Sequence, residues 1–210
     1  MRNHVWLIGA GGHAKVVAAA CQASAWTVEG IFDRNPETWG RRLLDIEIKA
    51  DVPQDSWWAA SDIWGFLSIG ANAARKRLAA TLRSARWAIV VHPSASVHPS
   101  ATLGPGALVC AHAVIQPDAQ VGAHAIINTG AIVEHDNRIG DFCHIGPNAC
   151  LAGNIMVEEG AFLGAGSTVI PGIRIGAWST VGAGAVVIED IRDGVTAVGV
   201  PARPVVRPGS

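Results

Sequence analysis

Two histidines are marked out by their neighbours and spacing. His135 is followed by Asp136, and His144 comes nine residues later. A carboxylate beside an imidazole orients the ring and favours its protonated form, which makes the neutral ring a better base. With an ordinary pKa near 6.5, such a ring can accept a proton from an attacking nucleophile at neutral pH. A second group lies near the N-terminus, where Gly9-Ala10-Gly11-Gly12-His13-Ala14 precedes Asp33. That glycine spacing lets backbone approach a diphosphate at a helix N-terminus, and the acid about twenty residues on can accept from ribose hydroxyls. His13 is an odd residue for a purely structural turn, which favours a ligand there.

Other chemistries fit less well. His112, His124, His135 and His144 are separated by 12, 11 and 9 residues, which does not bring three imidazoles together as a catalytic zinc needs. No metal is expected. Cys143 and Cys150 could form an acetyl-thioester intermediate, but Cys143 falls in a slot that selects for small residues, so packing explains it. All four cysteines lack metal-type spacing and read as reduced thiols of a cytoplasmic protein. A net charge of -1 gives no electrostatic case for a nucleic-acid or anionic-membrane partner. Without a long apolar run, neither a signal peptide nor membrane insertion is expected.

The elements that must position these residues follow from a period of six. From Val91 through Val187 every sixth residue is Val, Ile or Leu, seventeen times without a slip, and four positions later the residue is usually small: Ala107, Ala113, Ala119, Ala125, Ala131. Neither helix (3.6) nor alternating strand (2) has this period. A short flat strand with a tight turn does, three to a coil; this is the hexapeptide β-helix. Residues eighteen apart then stack, and a little under six coils rise about 27 Å at roughly 4.8 Å per coil. The handedness, left, belongs to the known pattern rather than to the period.

Half a circumference separates His135 from His144, so in one chain they point from different sides of the prism. Flat faces pack naturally about a threefold axis, and a homotrimer would bring His135 of one chain to His144 of the next. Pro147, Ala165, Ala183 and Pro201 form a narrow side-chain-poor column at intervals of eighteen, and Arg138, Arg174 and Arg192 form another with Met156 between. An apolar track beside cations suits a long ligand with a phosphorylated end, such as coenzyme A. The plain alternative is corner alanines and solvated arginines.

The first ninety residues alternate strand and helix. Val5–Ile8, Thr27–Phe32 and Gly65–Ile69 read as strands, Ala73–Arg83 as a helix, and Trp87–Val91 as a last strand; residues 36–62 have no clean period. This is an α/β half-Rossmann unit. A complete NAD site spans two such halves, so a nucleotide-sugar fits the available length better. The expected division is an α/β domain at 1–90, the β-helix at 91–192 and a tail at 193–210.

The run from Ile127 through Glu134-His135-Asp136 to Phe142-Cys143-His144-Ile145-Gly146-Pro147 resembles the bacterial sugar acetyltransferases of the sialic-acid, bacillosamine and perosamine type. So do the Gly9–Lys15 loop, Phe32-Asp33, Ile69-Gly70-Ala71-Asn72 and the closing Gly199-Val200-Pro201-Ala202-Arg203. The resemblance covers nearly the whole chain. It implies a trimeric hexapeptide-repeat enzyme with a small N-terminal nucleotide-sugar domain. It would move acetyl from acetyl-CoA to a UDP- or GDP-linked 4-amino-4,6-dideoxy sugar, with His135 as general base, Asp136 beside it and His144 near the thioester. His144, Gly153, Ala165, Ala183, Pro201 and Arg203 would lie along acetyl-CoA. Gly11, Gly12, His13, Asp33, Arg34, Gly70, Asn72 and Asn128 would meet the nucleotide-sugar. Arg34 departs from members with two acids at this point, which leaves the base open. Sialic-acid O-acetylation and a non-catalytic β-helix scaffold are the alternatives.

Overall fold

The structure is a computed structural model that describes residues 3–205; the end of the expected tail, 206–210, lies outside the described residues. The N-terminal unit begins with β1 (Asn3–Ile8), α1 (Gly12–Ala23) and β2 (Trp26–Phe32). Val5, Leu7 and Ile8 are buried, as expected of a parallel strand covered on both faces. The alanine-rich α1 packs Ala14, Val17, Ala18 and Cys21 into the same core. Next come β3 (Arg42–Leu43), β4 (Ile46–Ala50), α2 (Asp55–Ala59), β5 (Trp64–Leu67), α3 (Asn72–Ala79) and β6 (Arg86–Trp87).

The sheet order is β3-β4-β2-β1-β5-β6, parallel except for the β3–β4 pair. Strand order therefore reverses at β1, and the carboxyl ends of β1, β2 and β5 open on one crevice, where ligands bind in such sheets.

Two stretches differ from the sequence reading. Residues 36–62, which lack a period, contain the β3–β4 hairpin and the short α2. The hairpin turns through Leu44 and Asp45, both at positive φ (46° and 63°), the mirror-image turn that suits twisted strands. The expected strand Trp87–Val91 is divided. Arg86–Trp87 completes the sheet, Ala88 N–H makes a last bond to Gly65 O (3.0 Å), and Val90–Val91 begins the prism.

From Val90 the chain forms two-residue rungs in three parallel stacks. Rungs pair at intervals of eighteen: Val109 with Ile127, Ile127 with Ile145, Ile145 with Leu163, Leu163 with Val181. We call the stack beginning at Val90–Val91 the first face, that at Ser96–Val97 the second and that at Thr102–Leu103 the third. From Val109 to Val187 the inward aliphatics are no more than 4% exposed, and burial of each contributes about 1.5–3 kcal/mol. Ala107, Ala113, Ala119, Ala125 and Ala131 are fully buried at the corners, where extra methylenes would overpack at about 1–3 kcal/mol.

Each turn also holds a residue with left-handed backbone, three positions after the aliphatic. From Gly106 to Gly184 every sixth residue has positive φ. Glycine, Asn, Asp and His fill most of these positions, as their tolerance of this region allows; Phe142 and Trp178 are the bulky exceptions.

The last coil closes in sixteen rather than eighteen residues: Val181 pairs with Ala197, and Thr180 with Thr196. Arg203–Pro204 then folds back antiparallel on Ala197–Val198.

The two units share a core. Val90, Leu108 and Ile126, the outward residues of the first face, are buried with Ala14, Val17 and Val5. The corner between the third and first faces receives α3. There His124 and Phe142 stack (5.1 Å, 10°), Trp87 packs edge-on to His124 (4.8 Å), and Lys76 lies over Trp178 (5.2 Å).

Candidate active site

His135 sits in the turn between the second and third faces, directly after the inward Val133. Asp136 takes the left-handed position (φ 60°), and its Oδ2 is 2.8 Å from His135 Nδ1. With Nδ1–H donating to that carboxylate, Nε2 carries the lone pair and is free to accept a proton. The hydrogen bond to Asp136 raises the His135 pKa above its ordinary value, helped by the negative charges of Asp136 and Glu134 and opposed by desolvation. The side chain is 60% exposed. Its ring lies over Gly153, where a Cβ would come within 2.5 Å of Cε1 and 2.6 Å of Nε2. Only glycine leaves room for the imidazole in this pose.

The residue that fixes this turn has no counterpart in the sequence reading. Asn137 occupies a corner slot that holds alanine in most hexads, and it is fully buried. Its Nδ2 donates to Glu134 O (2.8 Å) and Ala152 O (2.9 Å), and its Oδ1 accepts from Ile155 N–H (2.7 Å). The amide is thus bonded at both ends, and it ties the turn carrying His135 to the coil carrying Gly153. Its replacement of a small apolar residue in a regular column is the signal that could have revealed it.

His144 is an outward residue of the first face, stacked on Ile126 and Phe162. Asn128 Nδ2 lies 2.9 Å from His144 Nε2; the amide donates, so Nε2 accepts and the ring proton sits on Nδ1. His13, from the first turn of α1, approaches with ring centroids 5.9 Å apart. Burial, then repulsion from His13 when that ring is protonated, then the positive charge of Arg75, push the His144 pKa down to about 4, against a hydrogen bond with the Gly70 backbone. His13 is likewise lowered to about 4 by burial and then by Arg75. Both rings are neutral at physiological pH.

Above them opens a cavity of about 600 Å³ at the carboxyl ends of β1, β2 and β5; Gly11, Gly12, His13, Asp33, Arg34 and Gly70 line it. The Asp33 carboxylate bridges two strand ends, accepting from Ala10 N–H (2.6 Å) and Asn35 N–H (2.8 Å). Asn72 turns its amide to the prism, donating to Gly160 O (3.1 Å) and Ala161 O (3.2 Å).

The corner between the first and second faces carries the exposed residues Pro147, Ala165 and Ala183. They stack as expected, with Gly166 N–H on Pro147 O (2.8 Å) and Gly184 N–H on Ala165 O (2.9 Å). Pro201 does not continue this column by count, because the sixteen-residue last coil advances the chain by two positions. Arg203 lies in the fold-back strand and pairs with Glu189 (3.4 Å). In the arginine column Arg138, Met156 and Arg174 do stack. Arg174 is neutralised by Glu158 (3.1 Å) and Asp193 (3.0 Å).

One chain therefore presents two separate half-sites. Cavity, His13, His144, Asn128 and the Pro147–Ala165–Ala183 track are contiguous at one corner; His135, Asp136 and Gly153 stand at another. Among the described residues no cluster of His, Cys, Asp or Glu could hold a metal ion, and no helix is long and apolar enough to cross a membrane.

Both parts of the chain resemble known proteins. Residues 4–82 match the family profile of the PglD N-terminal domain, and residues 154–189 match that of the bacterial transferase hexapeptide (six repeats). No curated protein matches the sequence. Among solved structures, PerB from Caulobacter crescentus in complex with CoA and GDP-perosamine is 42% identical, covers 98% of this chain and 99% of its own, and has a TM-score of 0.90. A histidine-to-alanine mutant of GDP-perosamine N-acetyl transferase from the same organism, also with CoA and GDP-perosamine, is 41% identical over 99% of both chains (TM-score 0.92). The acetyltransferase domain of PglB from Neisseria gonorrhoeae, in complex with acetyl coenzyme A, is 31% identical over 98% of this chain and 100% of its own (TM-score 0.88).

Proposed function

The chain belongs to the family of hexapeptide-repeat nucleotide-sugar acetyltransferases, and we propose from that premise how it transfers acetyl from acetyl-CoA to the amino group of a nucleotide-linked 4-amino sugar. The nucleotide occupies the cavity at the carboxyl ends of β1, β2 and β5. The glycine loop faces the diphosphate, and Asp33 and Arg34 lie at the nucleoside end. GDP-perosamine, the ligand of the Caulobacter relatives, makes a GDP-linked 4-amino-4,6-dideoxy sugar the first acceptor to test. Acetyl-CoA lies along the Pro147–Ala165–Ala183 corner.

His135 Nε2 removes the proton from the ammonium as nitrogen attacks the thioester carbonyl carbon. The tetrahedral intermediate collapses, the C–S bond breaks, and the second proton that the nitrogen sheds in becoming an amide passes to the departing coenzyme A thiolate. Asp136 holds the ring and stabilises the imidazolium it becomes. His144 is kept neutral by burial, with Nε2 engaged by Asn128 and its ring proton by the Gly70 backbone, so it braces the site while the thioester carbonyl falls to the backbone N–H of Gly153. Environments that push two histidines in opposite directions are what such a division of labour requires.

The two half-sites meet in a homotrimer. The second face lies between the corner carrying His135 and the corner carrying the track, and its outward Val114, Ile132, Cys150 and Val186 are incompletely buried in one chain. Packing this apolar face about a threefold axis sets His135 of one subunit beside the cavity and His144 of the next.

The observation that carries the reading is the His135 imidazole, oriented by Asp136 over Gly153 with Nε2 unengaged. The test is His135→Ala assayed with GDP- and UDP-linked amino sugars and acetyl-CoA, following thiol release. Turnover should fall by at least about a hundredfold with the assembly intact; near-normal turnover would remove His135 from the chemistry.

A further inference from the structure

Arg75 of α3 is 1% exposed and has no carboxylate partner among the described residues. Its guanidinium is held by carbonyls and one amide instead. Nε donates to His124 O (2.8 Å), Nη1 to Ile69 O (2.9 Å) and Gly70 O (3.1 Å), and Nη2 to Asn72 Oδ1 (3.0 Å) and Phe142 O (2.9 Å), with Cys143 O at 3.3 Å. All five N–H groups are used.

Burying an unpaired cation is unfavourable, and an apolar side chain would fill the same space. What guanidinium adds is direction, because its donors form a rigid planar fork. Here the fork joins two bodies. Ile69 and Gly70 belong to the segment between β5 and α3 that lines the cavity. His124, Phe142 and Cys143 belong to the prism, and Cys143 immediately precedes His144. Asn72 extends the tie to the next coil through Gly160 O and Ala161 O. Gly70 in turn abuts His13, whose Cβ would be 3.5 Å from a Cβ placed there.

We propose that Arg75 is a positioning residue that locks the 69–72 segment to the coil carrying His144, and so sets where the acceptor amine stands relative to the thioester. This rests on the acetyl-transfer reading, and it adds a residue that contacts neither substrate.

The test compares Arg75→Lys, which keeps the charge but not the fork, with Arg75→Met. Three quantities are read: affinity for nucleoside diphosphate (GDP or UDP, whichever the wild type binds) by calorimetry, steady-state kcat, and hydrogen exchange of the amides at 69–72. With Arg75→Lys, nucleotide affinity should stay within about threefold while kcat falls sharply. A misplacement of about 1 Å at the reacting atoms is expected to lower kcat by about a hundredfold, and exchange at 69–72 should quicken by about tenfold while β1 and β2 are unchanged. Unchanged kcat, unchanged exchange at 69–72, or nucleotide affinity falling in step with kcat would each overturn the proposal. If neither variant folds, Asn72→Ala removes the two outer ties; it should lower kcat at constant nucleotide affinity, and a normal kcat would overturn the proposal. A wild-type chain inactive on every nucleotide-linked amino sugar would sink the acetyl-transfer reading, while the exchange measurement would still decide whether Arg75 locks the segment.

Discussion

At the scale of single residues, two histidines of one chain are driven in opposite directions by where they stand. His135 is in water with a carboxylate on Nδ1; His144 is under a domain, with an amide on Nε2 and a buried cation nearby. Because His135 must be neutral to accept a proton, activity rises with pH through its pKa, which Asp136 raises. Asp136→Asn removes the charge and leaves a weaker, neutral acceptor for Nδ1–H, so the acid limb of the kcat/KM profile should move to lower pH while kcat on the plateau falls by about ten- to a hundredfold. An acid limb that stays in place would show that it reports another group. This pair could be read from the sequence because its members are adjacent. Arg75 could not: in the Arg75-Lys76-Arg77 run it looks like part of a solvated helix face, and its prism acceptors lie 49 to 68 residues away. Asn72 looked equally available to substrate for the same reason.

At the scale of elements, the prism was legible because one local pattern, aliphatic then small residue, repeats with every hexad. The left-handed turn positions carry a signal that the sequence reading did not use, a glycine, Asn, Asp or His three places after most of the aliphatics from Leu103 on. The closing coil was not legible. Nothing in the hexads up to Val187 announces that Val181 will pair with Ala197, and the displaced Pro201 is the consequence. The seam between the α/β unit and the prism carries a titration signature. His13, His124 and His144 all have pKa values lowered to about 4, chiefly by burial. Unfolded, each titrates near 6.5, so between these values the unfolded chain binds protons that the folded chain does not. Their contribution to stability is complete above pH 6.5 and is lost as pH falls toward 4. The melting temperature should therefore drop between pH 7 and 5, and His124→Asn, which suits the left-handed backbone, should flatten that drop. An equally steep dependence in the variant would count against His124 as a contributor.

At the scale of the whole molecule, one chain holds a cavity at the strand ends and an oriented imidazole, His135, that stand at different corners of the prism. If neighbouring subunits join them, chains carrying His135→Ala and chains carrying His144→Ala, each inactive alone, should regain activity when co-assembled. Random mixing bounds the recovery at a fraction of wild-type turnover, and verified mixed assemblies with none would place both groups in one subunit's site. Sedimentation at assay concentrations should find no active monomer. This separation was also legible, since nine residues are half of eighteen; the packing of the α/β unit on the first face was not, because Val90, Leu108 and Ile126 carry no mark distinguishing them from outward residues left bare.

The fold-back of Arg203–Pro204 on Ala197–Val198 bears on what the protein does not become. A stack of parallel rungs ends in unpaired N–H and C=O groups, and such an edge invites another chain to continue it. Here the outermost strand of the first face is antiparallel, two residues long and ends in a proline without an N–H to offer. On that face the prism closes its own growing tip and gives a second copy no template from which to extend a fibre.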